Sequence, residues 1–362
     1  MDLARYHRQM LLPGIGESGQ RALLQSHALI VGCGALGTII ADSLTRAGLG
    51  ALTIVDRDVV ELTNLQRQIL FDERDVEEGI PKAEAAKHKL ATINSQVRVH
   101  AVVEDFNHTN AERIARGADI ILDGLDNFAT RYLLNDLSVK RGLPYLYGGA
   151  VATTGMACTF VPGEGPCLRC IFPEAPPPGA TATCDTAGVL GSVVAMIAHH
   201  QVTQAIKLLT ARAHPENLDA VDRSLLAIDA WRNDARRLDV SGARGPESQC
   251  PCCVQRRFEY LEGALGSSAT SLCGRGAVQI NPRLLSAESG NGTADLPALA
   301  QRLASHGEFK VGEHLLRGRL ARERGDEGKP IELTIFPDGR AIIAGTARPE
   351  LARAIYDRYI GG

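Results

Sequence analysis

No stretch of this chain stays apolar long enough to cross a bilayer. The longest segment without Asp, Glu, Lys or Arg, Gly142 to Gly163, is broken by five glycines and by Pro144 and Pro162. The apolar run Ala187 to Ala198 is twelve residues, where a spanning helix needs about 20. Neither sign of charge dominates: 39 Lys and Arg face 42 Asp and Glu, a formal net charge of -3. That balance gives no general pull toward nucleic acid or an anionic membrane, so a phosphate-bearing ligand must be held by local donors. No apolar leader opens the chain, which starts MDLARYHRQM, and its nine cysteines are odd in number, so a cytoplasmic, reducing setting is expected. Internal repeats and low-complexity blocks are also missing. With 362 residues, 44% of them hydrophobic, the chain reads as a globular protein long enough for two domains.

What is present in the first half is alternation. Strand-like runs at Ala28 to Val31, Ala51 to Asp56, Val97 to Val103, Ala118 to Asp123 and Tyr145 to Val151 are separated by helix-like segments from about Leu36, after Pro81, and from Asn127 to Lys140. Such a pattern builds parallel strands with crossover helices, an α/β doubly wound, mainly parallel sheet. Met156 to Val161 follows a Thr-Thr-Gly turn and is expected to add an antiparallel strand. Residues 163 to 183, rich in Pro, Gly and Ala, read as a long loop before an apolar helix beginning near Ala187. After about Cys273 a small α+β module is expected: a helix at Leu296 to Ser305, strands near Phe309 to Leu320, Ile331 to Phe336 and Arg340 to Ala344, a hairpin at Asp338-Gly339, and a final helix.

The chemistry begins at Gly32-Cys33-Gly34-Ala35-Leu36-Gly37. These residues follow a strand and open a helix, where glycines let the backbone approach a phosphate or ribose. Asp56 ends the next strand, where a carboxylate can accept ribose hydroxyls, so the unit reads as a Rossmann-like nucleotide site. Asn64 to Gln68 lies just beyond, and Lys82 sits in the first turn of the next helix, opposing its dipole. Arg67 and Lys82 beside a nucleotide loop make a triphosphate clamp. Asp126-Asn127 follows another strand end, so it should share the same ligand-binding edge. Asp126 reads either as a magnesium ligand against the phosphates or as an N-cap for the helix at Asn127.

Cys167-Leu-Arg-Cys170 and Cys250-Pro-Cys252-Cys253 supply the thiolate number and local spacing of a structural zinc site. Cys167, Cys170, Cys250 and Cys253 are the preferred ligands because they keep the two-residue gap, although Cys252 competes, and two free cysteine pairs or a redox dithiol are the alternatives. Cys184, just before the apolar helix, sits where helix-end N–H groups can stabilise a thiolate, although Asp185 opposes this and an isolated cysteine is more often inert. His199 and His200 read as packed or solvent-facing, and Cys33, Cys158 and Cys273 as inert.

Taken together, Arg5-Tyr-His-Arg8-Gln, GCGALG, Val-Asp56, Asn64-Leu-Gln-Arg67-Gln, Pro81-Lys82, Leu125-Asp126-Asn127 and the two cysteine knuckles resemble the ThiF/MoeB/HesA adenylyltransferases, relatives of ubiquitin-activating enzymes, over residues 1 to about 255. The resemblance implies ATP-dependent adenylation of the C-terminal glycine carboxylate of a ubiquitin-like sulfur carrier ending in Gly-Gly, with release of pyrophosphate, within a homodimer. It also implies residue roles. The backbone at Gly34 and Ala35 would hold adenosine, Asp56 the ribose, and Asn64, Arg67 and Lys82 the phosphates, while Asp126 would bind Mg²⁺. Arg8 would reach the phosphates of the neighbouring subunit. Many relatives have Gly where this chain has Ala35, a modest change if only the N–H is used. Cys184 matches a loop cysteine that some relatives join covalently to the carrier during sulfur transfer, for which a sulfurtransferase or cysteine desulfurase would be the donor partner.

The segments Leu272 to Arg275 and Leu333 to Arg340 resemble the extension of longer ThiF-type proteins. The expected division is therefore 1–268 as the adenylation domain and 269–362 as an accessory module that orients the carrier and takes no part in the chemistry. ThiF-type activation for thiamin biosynthesis is the expected function, with MoeB-type molybdopterin activation or tRNA thiolation as the near alternatives. An NAD-dependent oxidoreductase or a noncatalytic carrier-binding scaffold are those of other classes.

Overall fold

The computed structural model describes residues 3–176, 184–245, 248–272, 276–283, 294–312, 315–337 and 339–361. Cys273, Arg275, His314, Asp338 and Gly362 lie outside the described residues, as does the side chain of Cys184.

The apolar runs do become parallel strands. The first sheet contains β1 (His27–Val31), β2 (Ala51–Val55), β3 (Arg98–Val102), β4 (Ile120–Asp123), β5 (Tyr145–Val151), β6 (Thr154–Phe160), β7 (Leu225–Asp229) and β8 (Asp234–Leu238). Their order is β3-β2-β1-β4-β5-β6-β7-β8. The five strands from β3 to β5 pair in parallel, and β6, β7 and β8 extend the sheet antiparallel. The antiparallel addition expected after the Thr-Thr-Gly turn is β6. The hairpin β7–β8 was not expected, because its Arg- and Asp-rich outer strand carries no apolar pattern.

Helices α1 (Gly16–Gln25), α2 (Ala35–Ala47), α3 (Lys82–Ile93), α4 (Phe128–Arg141) and α5 (Gly191–Thr210) belong to this sheet's unit. Alternate residues of β1 enter opposite cores, since side chains along a strand point to opposite faces. Ile30 packs with Ile40, Leu52 and Ile197, and Leu29 and Val31 with Ile121, Leu134 and Tyr145. Burial on both faces is why these strands read as unbroken apolar runs.

The chain runs from β1 through α2 to β2 on one side, while β4 lies on the other, so the strand order reverses beside β1. Ligands of open α/β sheets bind in the crevice at such a switch point, outside the carboxyl ends of the strands. Two glycines make the turn there. Gly32 has φ +91, which L side chains rarely adopt, and a Cβ on Gly37 would sit 1.9 Å from the Gly32 carbonyl oxygen.

The tail forms a second, wholly antiparallel sheet. Its strands are β9 (Gly266–Leu272), β10 (Ala277–Arg283), β11 (Gly307–Val311), β12 (Leu316–Arg324), β13 (Pro330–Ile335) and β14 (Ala341–Ala344), in the order β11-β12-β13-β14-β10-β9. Helices α6 (Leu296–Leu303) and α7 (Pro349–Tyr359) pack on it around a separate core of Leu299, Leu320, Leu333, Ile343 and Tyr356. The expected β13–β14 hairpin is present. The strands β9 and β10 were not anticipated, and the second sheet starts at Gly266, a few residues before the expected division.

Candidate nucleotide site and cysteine cluster

One cleft opens at the carboxyl ends of β1 to β4, and it gathers residues far apart in sequence. Gly32, Gly34, Ala35, Asp56, Asn64, Arg67, Lys82, Asp126 and Asn127 all line it. Gly37 does not; its place is the close contact with Gly32 that seats α2 against the turn.

Asp56 is built into the walls. Its carboxylate accepts the Cys33 N–H at 2.6 Å and the Asp58 N–H at 2.8 Å, tying the glycine turn to the loop after β2. Burial pushes its pKa above the usual carboxylate value, with Lys82 pulling the other way. Lys82, the first residue of α3, is buried, and its Nζ lies 3.2 Å from Asp58 Oδ2. Burial works against the ammonium, but Asp58 and Asp56 raise its pKa overall. Asp58 also is opposed by burial, yet Lys82 and Arg57 hold it below the usual range. The unfavourable position of a lysine at a helix start is thus offset by two carboxylates, and the cation remains charged facing the cleft.

Asn64 is buried in a one-turn helix (Leu62–Asn64), and its Oδ1 accepts the Glu61 N–H at 3.0 Å. Arg67 follows that turn and donates to the Thr63 carbonyl at 2.9 Å. Of the two readings open for Asp126, the cap is taken by its neighbour: Asn127 Oδ1 accepts the Thr130 N–H at 3.0 Å. The Asp126 carboxylate is left exposed at the cleft. A single carboxylate beside phosphates is a donor set that suits Mg²⁺, which keeps several waters and binds few protein oxygens.

On the far side of α4 the two knuckles meet. Sγ of Cys170 lies 3.4 Å from that of Cys253, and Sγ of Cys167 lies 3.7 Å from that of Cys250 and 3.9 Å from that of Cys170. All four sulfurs fall within 4.8 Å of one another. A tetrahedron with Zn–S bonds near 2.3 Å has S–S edges of about 3.8 Å, so the four thiols fit zinc closely. Cys252 is not among them; it points back to α4, where Asn135 Nδ2 donates to its sulfur at 3.2 Å. Asn135 Oδ1 also accepts the Leu168 N–H at 2.8 Å, so one side chain of α4 holds both knuckles.

The sequence profile of the ThiF family matches residues 6–252, more than half of the chain. The chain belongs to the ThiF family. The Bacillus subtilis (strain 168) protein named sulfur carrier protein ThiS adenylyltransferase is 42% identical over 358 residues, covering 99% of both chains. The Thermus thermophilus sulfur carrier protein adenylyltransferase is 39% identical, aligned over 73% of this chain and 97% of its own. Among solved structures, E. coli MccB with ATP superposes with a TM-score of 0.57 at 22% identity, over 69% of this chain and 74% of that one, a likeness of fold.

Of two further residues that the resemblance assigned to a ThiF-type site, Arg8 stands outside the cleft and the side chain of Cys184 lies outside the described residues. Arg8 lies exposed in a one-turn helix, His7–Met10. Cys184 starts another short helix, Cys184–Ala187, before α5. His199 is exposed, with its Nδ1 2.8 Å from the Ala195 carbonyl, and His200 is half-buried, its pKa lowered by burial. Among the described residues, no helix is long and apolar enough to cross a membrane.

The structure also shows a group that the sequence reading missed. Asp123, at the end of β4, is buried against Arg131 of α4 at 3.1 Å, and Tyr145 donates to it at 2.8 Å. Arg131 donates in turn to the carbonyls of Leu125 at 2.7 Å and Gly148 at 3.0 Å. This network holds the loop that carries Asp126. An aspartate ending an apolar strand, eight residues before an arginine, was the available signal. Arg131→Ala is expected to leave the buried Asp123 without its cation, costing about 3–5 kcal/mol of stability. Urea denaturation checks this, and a loss below about 1 kcal/mol would contradict the role.

Proposed function

We propose that this ThiF-family adenylyltransferase uses ATP to adenylate the C-terminal glycine carboxylate of a small ubiquitin-like sulfur carrier, and that the carrier is of the ThiS type used in thiamin biosynthesis. The observation that carries the reading is the cleft: a glycine turn, Asp56, Arg67, Lys82 and Asp126 converge at the switch point of one sheet. The full-length similarity to a protein named for ThiS supports the choice of carrier. An oxidoreductase using the same glycine turn would leave Arg67, Lys82 and the cysteine cluster without a role.

The chemistry follows from charge. A carboxylate oxygen of the carrier attacks the α-phosphorus, the bond from that phosphorus to the bridging oxygen breaks, and pyrophosphate leaves with the electron pair. The carboxylate is already ionised at neutral pH, so no general base is required. Gly34 and Ala35 present backbone to the adenosine, Asp56 the ribose acceptor, and Asn64, Arg67 and Lys82 hold the phosphates as charge moves onto the leaving group. Magnesium, when bound, would be held by Asp126 and would offset phosphate charge. Arg8 lies outside its own cleft, and its proposed role is to reach the cleft of a second copy in a homodimer.

ATP–pyrophosphate exchange against a panel of carriers, one each for thiamin, molybdopterin and tRNA thiolation, tests this reading. Exchange dependent on the ThiS-type carrier supports it, exchange with another carrier reassigns the pathway, and exchange with none removes the function. Cys184 is proposed to act after adenylation, in sulfur transfer from a sulfurtransferase or cysteine desulfurase. Cys184→Ala is therefore expected to leave exchange within about twofold of wild type while carrier thiocarboxylate formation, followed by mass spectrometry, falls. Collapse of exchange in that variant would place the cysteine in the first step or in the fold.

The proposed division keeps residues 1–268 as the adenylation unit and 269–362 as an accessory module. Its closing helix nevertheless reaches the cleft.

A further inference from the structure

Helix α7 has two faces. Ala352, Ile355, Tyr356 and Tyr359 are buried in the core of the small module. The other face carries Arg353, Ala354, Asp357 and Arg358, and the last three of these line the cleft. Spacings of one, four and five residues put them on one side of a helix.

That face meets Arg57, which directly follows Asp56. One end nitrogen of the Arg57 guanidinium pairs with Asp105, beyond β3, and the other pairs with Asp357 at 2.8 Å. Asp105 is held in turn by Arg353 of α7 at 3.0 Å. The chain Arg353–Asp105–Arg57–Asp357 therefore alternates in charge and crosses twice between the two sheets' units. Its members are 14% to 20% exposed, so solvent screens them less than it would pairs on an open surface.

We propose that α7 is a working wall of the nucleotide site, in which Asp357 and Asp105 fix Arg57 as a positioning residue against the nucleoside. The inference rests on the reading of the cleft as an ATP site. Both end nitrogens of Arg57 are held by carboxylates, so its proposed contact with the nucleoside is through the flat face of the guanidinium. Such a face packs well on a planar base. A long side chain held in place before the ligand arrives loses little entropy when it does, so removing its clamp weakens nucleoside binding through Arg57.

Binding of AMP, ATP and pyrophosphate to the full-length protein, measured by calorimetry for Arg57→Ala, Asp357→Asn and the double variant, tests the proposal. AMP and ATP affinities should fall roughly tenfold in each single variant. The double variant should be no weaker than Arg57→Ala, because both changes remove one unit. Pyrophosphate affinity should hold, and in exchange assays KM for ATP should rise while KM for the carrier stays constant. Unchanged AMP binding in Asp357→Asn overturns the proposal, as does an equal loss of AMP and pyrophosphate, which marks general damage. A rise confined to the carrier's KM overturns it too. Should Asp357→Asn not fold, Arg353→Ala probes the same clamp through Asp105, with the same outcomes expected on a smaller scale. Asp56→Ala separates the two levels: if that variant binds AMP normally, the cleft is not the nucleotide site, and the inference falls with that reading.

Discussion

Asp126→Ala and Arg67→Ala should each abolish carrier-dependent ATP–pyrophosphate exchange in a protein that still folds. Both residues face the cleft, and neither supports the structure around it heavily. Asn127 makes the helix cap beside Asp126, and Arg67 donates to the Thr63 carbonyl, four residues back. Their loss therefore removes charge from where the triphosphate would lie without leaving a buried partner stranded. Removing one preorganised charged group from a transition state costs about 2.7 to 4 kcal/mol, a fall of about 10² to 10³ in rate. Lys82→Ala should be as inactive but less stable, because Asp58 and Asp56 would lose the cation that compensates them. Exchange near the wild-type rate in folded Asp126→Ala or Arg67→Ala would remove the proposed assignment of the triphosphate end.

The second large effect is expected at the cysteine cluster. Protein prepared without chelator should carry one zinc per chain by elemental analysis, and Cys170→Ser and Cys253→Ser should each reduce that content severely. Structural zinc contributes about 10–16 kcal/mol in small peptides, and less is expected where a domain has its own core. A stability loss of several kcal/mol is expected here, since the cluster joins two segments 80 residues apart in sequence and abuts α4 through Asn135. Cys252→Ser should keep the metal. Metal-free wild-type protein, or loss of zinc in Cys252→Ser with retention in Cys253→Ser, would contradict the ligand set.

The part of this protein written in local sequence is the part built from local rules. Apolar runs at Ala28 to Val31 and Ala51 to Val55 specify buried parallel strands because both their faces are covered. The glycines at 32 and 37 are legible because the turn allows no Cβ there. The knuckle spacing is legible because a metal fixes bond lengths whatever the fold around it. Sequence alone thus determined the α/β class, the glycine turn, the positions of Asp56, Lys82 and Asp126 at strand and helix ends, and the four thiols.

Tertiary structure decided what depends on distance in space. It gave the cap to Asn127 rather than Asp126, bound Cys252 to Asn135 outside the set of four thiols, and buried Asp123 against Arg131. None of these follows from spacing, because a polar side chain takes whichever partner the packed backbone brings within about 3 Å. The hairpin β7–β8 and the strands β9 and β10 are hard to read for a related reason: β8 and β9 end their sheets, where no continuous apolar run is needed, and the pairing of β7 and β10 is set by their neighbours. The joining of α7 to the cleft is the clearest case. Arg57 and Asp357 are 300 residues apart, each an ordinary charged residue in a polar stretch, and only the docking of two separately cored sheets makes them partners.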